Sequence, residues 1–337
     1  MQRGVPLFLK QTKYYEKFKN ILPESIRDFV AGDLNKHKQN MLIASVKNEK
    51  KILPSLLTIE LTNHCNAACT FCTQPDIMER TKSFITEEVL QRCVEQVKKH
   101  NISEVMLAGM GEPFMYKKII SLIKTLSDMG VSVSVTTNGS IFHVFDPSEI
   151  VESGIDYLLI SMDAIDTEWL HETKPGIKKD VEQMEAEIKK IYNHKIKNNL
   201  TKPLIKLKYQ ILENSNNMLD KEKEKEILES KVGTLCDVID LRQQHDWLGE
   251  AHDGVGNHTL PKATMDNICN QLVRSIGISC NGDVGLCCMD FDNKVKLGNI
   301  LDNDISEIYN SEHMLNARKM YLDGNAAKHN MCSGCYS

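Results

Sequence analysis

No apolar run in this 337-residue chain approaches the roughly 20 residues that a bilayer-spanning helix needs, which excludes a helical membrane protein from the expectation. The N-terminus lacks the charged, apolar and small-residue regions of a secretory signal. A cytoplasmic protein without a membrane partner is therefore expected. Positive charge is not in excess: 41 Lys and Arg stand against 46 Asp and Glu, and a formal net charge of -5 gives no broad attraction for nucleic acid. At 41% hydrophobic residues the chain can bury a full core, with room for one large domain and a smaller appendage.

What the sequence does have is cysteine, 11 residues of it. Without an export signal these thiols stay reduced, so they do not read as a disulfide framework and metal or redox work is the better account. Cys65, Cys69 and Cys72 form one cluster; Cys269, Cys280, Cys287, Cys288, Cys332 and Cys335 crowd the C-terminal end; Cys93 and Cys236 lie alone. That distribution suggests two metal sites in two parts of the chain.

Residues 1–52 are Lys-rich with scattered apolar positions and read as an N-terminal helical extension. From Leu56 short β-branched or Leu-rich runs alternate with helical patterns. The strand candidates are Leu56–Leu61, Glu104–Ala108, Val131–Thr136, Tyr157–Ser161, Ile205–Leu212 and Val238–Leu241. Thr86 reads as an N-cap with Glu87 and Glu88 behind it, and Val89, Leu90, Cys93, Val94 and Val97 make one apolar stripe. Further helices are expected over Lys117–Met129, from Asp146-Pro147, and over Ile177–Lys197 and Leu219–Ser230. Six strands alternating with helices imply right-handed parallel βαβ units closing into a partial (β/α)6 barrel, an α/β fold, over residues 53–250. In such a fold chemistry gathers at the C-terminal ends of the strands.

The first cysteine cluster sits there, in the run from Thr58 to Cys72 that follows the first strand. Three thiolates can hold three irons of a [4Fe–4S] cluster and leave the fourth open to a ligand. A structural zinc would want a fourth protein ligand, and His64 beside Cys65 is poorly spaced to be one. The C-x3-C-x2-C pattern, with Phe71 just before the last cysteine, resembles the signature of the radical S-adenosylmethionine (SAM) superfamily. The resemblance extends to later strand ends and covers most of residues 53–250. Gly109-Met110-Gly111-Glu112 resembles the family's Gly-Gly-Glu loop, whose backbone receives the SAM amino group; here Met110 replaces a glycine. Asn138 ends the third strand, and Ser161 with Asp163 resembles the family's Ser-x-Asp, which reaches the ribose or carboxylate of SAM. Each of these alone also fits a turn or a helix cap.

Asn281-Gly282 between apolar runs is a hairpin signal that puts Cys287 on the returning strand. Residues 251–337 resemble the SPASM and twitch auxiliary-cluster regions of radical SAM enzymes, a small C-terminal α+β domain. Six cysteines are too few for two fully ligated cubanes but enough for one. Cys269, Cys287, Cys332 and Cys335 have gaps of 17, 44 and 2 residues, which resemble those of the twitch aminocyclitol dehydrogenases. Cys288 could replace Cys287, and a four-cysteine zinc site is the other reading of this tail.

The resemblance implies an enzyme that uses the first [4Fe–4S] cluster and SAM to make a 5′-deoxyadenosyl radical, with an auxiliary [4Fe–4S] cluster and an external one-electron donor such as flavodoxin or ferredoxin. Two outcomes compete. Loss of a proton and an electron from a carbinol radical gives a ketone; return of a hydrogen atom from a thiol gives an epimer, for which Cys280 and Cys288 are positioned candidates. Dehydration, peptide modification and a non-enzymatic iron–sulfur carrier remain open. Gln210, Glu213, Arg242, Gln244, His245, Asp246 and Trp247 are substrate-contact candidates, and His245 or Asp246 could act as a base. No leader-binding winged-helix segment is evident, which favours oxidation of a small sugar, polyol or aminocyclitol-like metabolite over a peptide.

Overall fold

The computed structural model describes residues 36–211, 218–243, Trp247 and 268–333. Six strands run parallel in sequence order: β1 (Leu56–Ile59), β2 (Glu104–Leu107), β3 (Ser132–Thr137), β4 (Tyr157–Ser161), β5 (Leu204–Ile211) and β6 (Val238–Gln243). Three more, β7 (Ser275–Ile278), β8 (Asp283–Gly285) and β9 (Lys296–Asn299), complete a nine-stranded open sheet of order β6-β5-β4-β3-β2-β1-β7-β8-β9. This is the expected open partial barrel, with one addition. The C-terminal segment is continuous with the barrel sheet, because β7 pairs in parallel with β1, Leu56 opposite Ser275 through Ile59 opposite Ile278. β8 and β9 then return antiparallel.

Local chemistry explains the helices. Thr86 caps Glu87–Lys99 by accepting from the Val89 amide at 3.2 Å, and Val89, Leu90, Cys93 and Val97 are buried on the stripe that faces the sheet. Asp146 and Glu149 form a capping box on Pro147–Val151. The short helix Thr167–Thr173 was not legible in the apolar pattern, since only Leu170 anchors it among apolar residues. Among residues 1–52, the helix seen in the described part occupies 36–46.

Strand alternation decides what faces the barrel interior. In β3, Val133 and Val135 are fully buried towards the helices, while Ser132, Ser134 and Thr136 are half-buried on the inner face. β5 repeats this with Ile205, Leu207 and Tyr209 buried and Lys206 and Lys208 half-buried. The hairpin at Asn281-Gly282 is present, with Gly282 at φ +86° and its amide donating to Ser279 O at 2.8 Å. β8 stops at Gly285, however, so Cys287 lies beyond the returning strand, in the loop that Leu286 and Val295 close.

Candidate active site

The C-terminal ends of β1 to β4 enclose a cavity of ≈ 170 Å³. Cys65, Cys69, Phe71 and Cys72 line one side; Gly109, Met110, Gly111 and Glu112 line another; Asn138, Ser161 and Asp163 complete it, with Trp247 over the Phe71 side. Every cofactor-contact residue picked out in the sequence is therefore brought to one cavity. Thr136, Thr137 and Lys174 line it as well, outside that expected set.

The loop after β2 owes its shape to two carboxylates. Glu112 is 2% exposed, and its oxygens accept from Thr137 Oγ1 at 2.7 Å, from the Asn138 amide at 2.7 Å and from the Phe114 amide at 3.0 Å. Burial pushes its pKa up against those donors. Glu112 thereby ties the end of β2 to the end of β3. Glu60 does the same on the other flank, accepting the Met110 amide at 2.9 Å, the Cys280 amide at 3.2 Å and a two-pronged Arg80 guanidinium at 2.7 and 3.0 Å. Met110 does not occupy the left-handed region, so the position tolerates a side chain; Gly111 does not, because a Cβ there would overlap the carbonyls of Thr62 and His64.

Lys174 is the charge that sequence reading missed. Its side chain is 2% exposed, it pairs with Asp163 at 2.8 Å and it donates to Ser161 O at 2.6 Å. Burial pulls its pKa down, but Asp163 and the thiols of Cys69 and Cys65 outweigh this and hold it up. Its only sequence signal was position, just ahead of a Pro175-Gly176 turn in a Lys-rich stretch. Asp163 sits at φ +57° and Trp247 at φ +52°, the latter a rare conformation for a bulky residue, and both border the cavity.

Burial pushes the thiols up: Cys69 to about 12, Cys72 to about 11, Cys65 in the same direction. A metal must displace their protons. Among the described residues no three such side chains converge on a single ion. A cubane does not ask for that, because each thiolate binds a different iron. Backbone amides already point at the sulfurs, Gln74 N to Cys72 at 3.4 Å and Ala67 N to Cys65. The donor set fits an iron–sulfur cluster.

In the tail, Cys269 accepts from the Gln271 and Leu272 amides and Cys287 from the Met289 amide at 3.4 Å. Cys269 and Cys287 lie within electrostatic reach of each other; Cys332 is half-buried, and Cys335 lies outside the described residues. Cys288 is exposed and Cys280 is buried against Ser83 Oγ at 3.1 Å, and neither lines the cavity. Arg242 is directed to Asp240 at 2.8 Å and does not line the cavity either. Gln244, His245, Asp246, Glu213 and the side chain of Gln210 lie outside the described residues. Phe291 joins the tail to the cavity wall: Arg80 Nε donates to its carbonyl, and its ring meets Trp247 edge-on at 6.0 Å, while Trp247 Nε1 donates to Phe71 O at 2.9 Å.

The fold and this site define the class, and comparison with known proteins agrees. The radical SAM superfamily model matches residues 59–207 and the SPASM model, an iron–sulfur cluster-binding domain, matches 269–336. The chain carries a radical SAM domain and a SPASM domain, which imply a SAM-binding [4Fe–4S] cluster, SAM and auxiliary iron–sulfur clusters. It is 34% identical over 110 residues to a probable GTP 3′,8-cyclase of Pyrococcus horikoshii, covering 33% of this chain and 34% of that protein. It is 23% identical over 114 residues to the PqqA peptide cyclase of Bradyrhizobium diazoefficiens, covering 34% and 30%. The chain thus spans about a third of the length of these curated relatives. Among solved structures it resembles BtrN in complex with AdoMet and 2-DOIA (TM-score 0.56, 16% identity, 84% of this chain and 93% of that one). It also resembles Streptococcus suis SuiB bound to its precursor peptide SuiA (TM-score 0.62, 14% identity, 82% and 69%). At such identities the likeness is one of fold. No helix among the described residues is long and apolar enough to cross a membrane.

Proposed function

We propose that this radical SAM enzyme oxidises a small sugar, polyol or aminocyclitol-like metabolite, removing a hydrogen atom from a carbinol carbon and then a proton and an electron. Cys65, Cys69 and Cys72 hold the first cluster; Cys269, Cys287, Cys332 and Cys335 hold the auxiliary one. Bound there, the first cluster would supply the electron for cleavage of SAM to methionine and a hydrogen-abstracting 5′-deoxyadenosyl radical, and the auxiliary cluster would supply a sink for the substrate's second electron. Gly109 to Gly111 present backbone to SAM, the Glu60 and Glu112 ties fix that backbone, and Lys174 places a buried cation against the cavity beside Asp163.

The observation that carries oxidation over epimerisation is the position of the spare thiols. Epimerisation needs a thiol at the substrate, and neither Cys280 nor Cys288 lines the cavity. Cys287 is favoured over Cys288 as a ligand by its partial burial and its amide donor. Product analysis after anaerobic reconstitution and reduction is the test. A product two hydrogens lighter, with the substrate hydrogen recovered in 5′-deoxyadenosine, is expected. A product of unchanged mass that gains one carbon-bound deuterium in heavy water would overturn the oxidation reading.

A further inference from the structure

The inner face of the sheet does not end at the SAM cavity. In a parallel sheet, residues in register on neighbouring strands point to the same side. Ser161, which lines the cavity, is in register with Lys208 on β5, and Lys208 with Asp240 on β6. Ile205, Leu207 and Tyr209 take the buried outer face of β5, and Ile239 and Leu241 pack against the core from β6. Lys206, Lys208, Asp240 and Arg242 therefore share the inner face and continue the cavity floor away from Asp163.

This row is unbalanced in charge. Asp240 is its one carboxylate, and it is engaged by Arg242 at 2.8 Å and by Lys206 at 3.8 Å. Asp163, the next carboxylate along, is engaged by Lys174. Lys208 stands between these two pairs, half-buried, with no ion pair or hydrogen bond to its ammonium among the described residues. Burial, followed by the charge of Arg242, holds its pKa below the usual lysine range despite the attraction of Asp163 and Asp240. Keeping an unpaired ammonium on a rigid strand beside a cofactor cavity costs stability in the free protein. A ligand anion would remove that cost.

We propose that Lys208, assisted by Lys206 and Arg242, binds an anionic group of the substrate, a phosphate or a carboxylate, and so holds the substrate between the SAM cavity and β6. The reading rests on the function proposed above and narrows it: the metabolite is a polyol or sugar that carries a negative charge. Lys208 acts here as a binding residue. The hydrogen-abstraction chemistry itself does not require it.

Titration of the reconstituted full-length protein with inorganic phosphate and, separately, with acetate tests this by calorimetry at constant ionic strength in chloride. One of the two anions should bind, and Lys208→Met should weaken it by about tenfold or more, the scale of one charge-assisted contact. Lys190→Gln, on an exposed helix face, should leave the titration unchanged. Tighter phosphate identifies a phosphoryl group and tighter acetate a carboxylate. Absence of both from the wild type, or equal weakening by Lys208→Met and Lys190→Gln, overturns the proposal. Because neither titration depends on SAM cleavage, a wild type that binds anion but yields no 5′-deoxyadenosine would count against the enzymatic reading and not against this site.

Discussion

The two cysteine regions are assembled by opposite means. Cys65, Cys69 and Cys72 come from a single loop, placed by the end of β1, and their surroundings are assembled by short-range carboxylate ties. Cys269, Cys287 and Cys332 come from three separate segments: one ahead of β7, one in the loop after β8, and one beyond the helix Glu312–Leu322. Both regions aim an amide two residues ahead at the sulfur, Gln74 at Cys72 and Met289 at Cys287. Cys236 also accepts strand amides but gives its own proton to Val232 O at 3.8 Å, as a structural thiol does. On the proposed assignment, the contiguous ligand set depends less on tertiary structure than the dispersed one.

The largest expected effect tests the contiguous set. Reconstituted wild type should hold about eight irons, four per cubane. Replacing Cys65, Cys69 and Cys72 together by Ala should remove about half and abolish 5′-deoxyadenosine formation, and retention of full cleavage would end the assignment. Cys287→Ala should also cost about half the iron but spare SAM cleavage, while Cys288→Ala should keep nearly all of it. Should Cys288→Ala be the damaging change, the ligand has been assigned to the wrong neighbour.

The next effects concern the walls around each set. Lys174→Met leaves Asp163 buried without its partner, a change worth about 3–5 kcal/mol in urea unfolding, accompanied by weaker SAM binding. Asp163→Asn in the same background should recover much of the stability, and failure to do so would mean the pair is not the cause. Phe291→Ala removes a ring that is 4% exposed and the contact between tail loop and Trp247. It should cost about 3 kcal/mol and raise KM for SAM, with Phe291→Tyr restoring both. If KM stays fixed while stability falls, the tail does not position the SAM cavity.

Legibility in the sequence followed the same division. The strands and the Thr86 and Asp146 caps were readable because alternation and capping are local. The expected cofactor-contact residues were readable because each stands at, or in the loop beyond, a strand end. Lys174, Glu60 and Arg80 were not, since their meaning lies in partners up to 220 residues away, such as the Cys280 amide on Glu60. The joining of β7 to β1 was equally silent: nothing in Ser275–Ile278 distinguishes an edge of a separate domain from a seventh parallel strand. The inner-face lysines of β5 were not singled out in the sequence, because only the register with Ser161 ties them to the cavity.

The smallest effect probes the seam that holds the dispersed region to the barrel. Asp304 caps Ile305–Ile308 and reaches back to the helix Glu87–Lys99, with Lys99 Nζ at 2.7 Å and His100 Nε2 at 2.8 Å. Its partial burial works against ionisation, but the Lys99 contact and the Ser306 amide prevail and depress its pKa to about 2. An unfolded aspartate titrates near about 3.9. A depressed folded value means that stability is fully present above about pH 4 and is lost as pH falls towards about 2. The shift alone would suggest about 2.5 kcal/mol, but Lys99 is 61% exposed, so screening leaves about 1 kcal/mol. Asp304→Asn keeps a capping oxygen and removes the charge. The difference in unfolding free energy between wild type and this variant should therefore shrink as pH falls below about 4, and fall further in high salt. A difference that ignores both pH and salt would show that the cap, and not the charge, fastens the tail to the barrel.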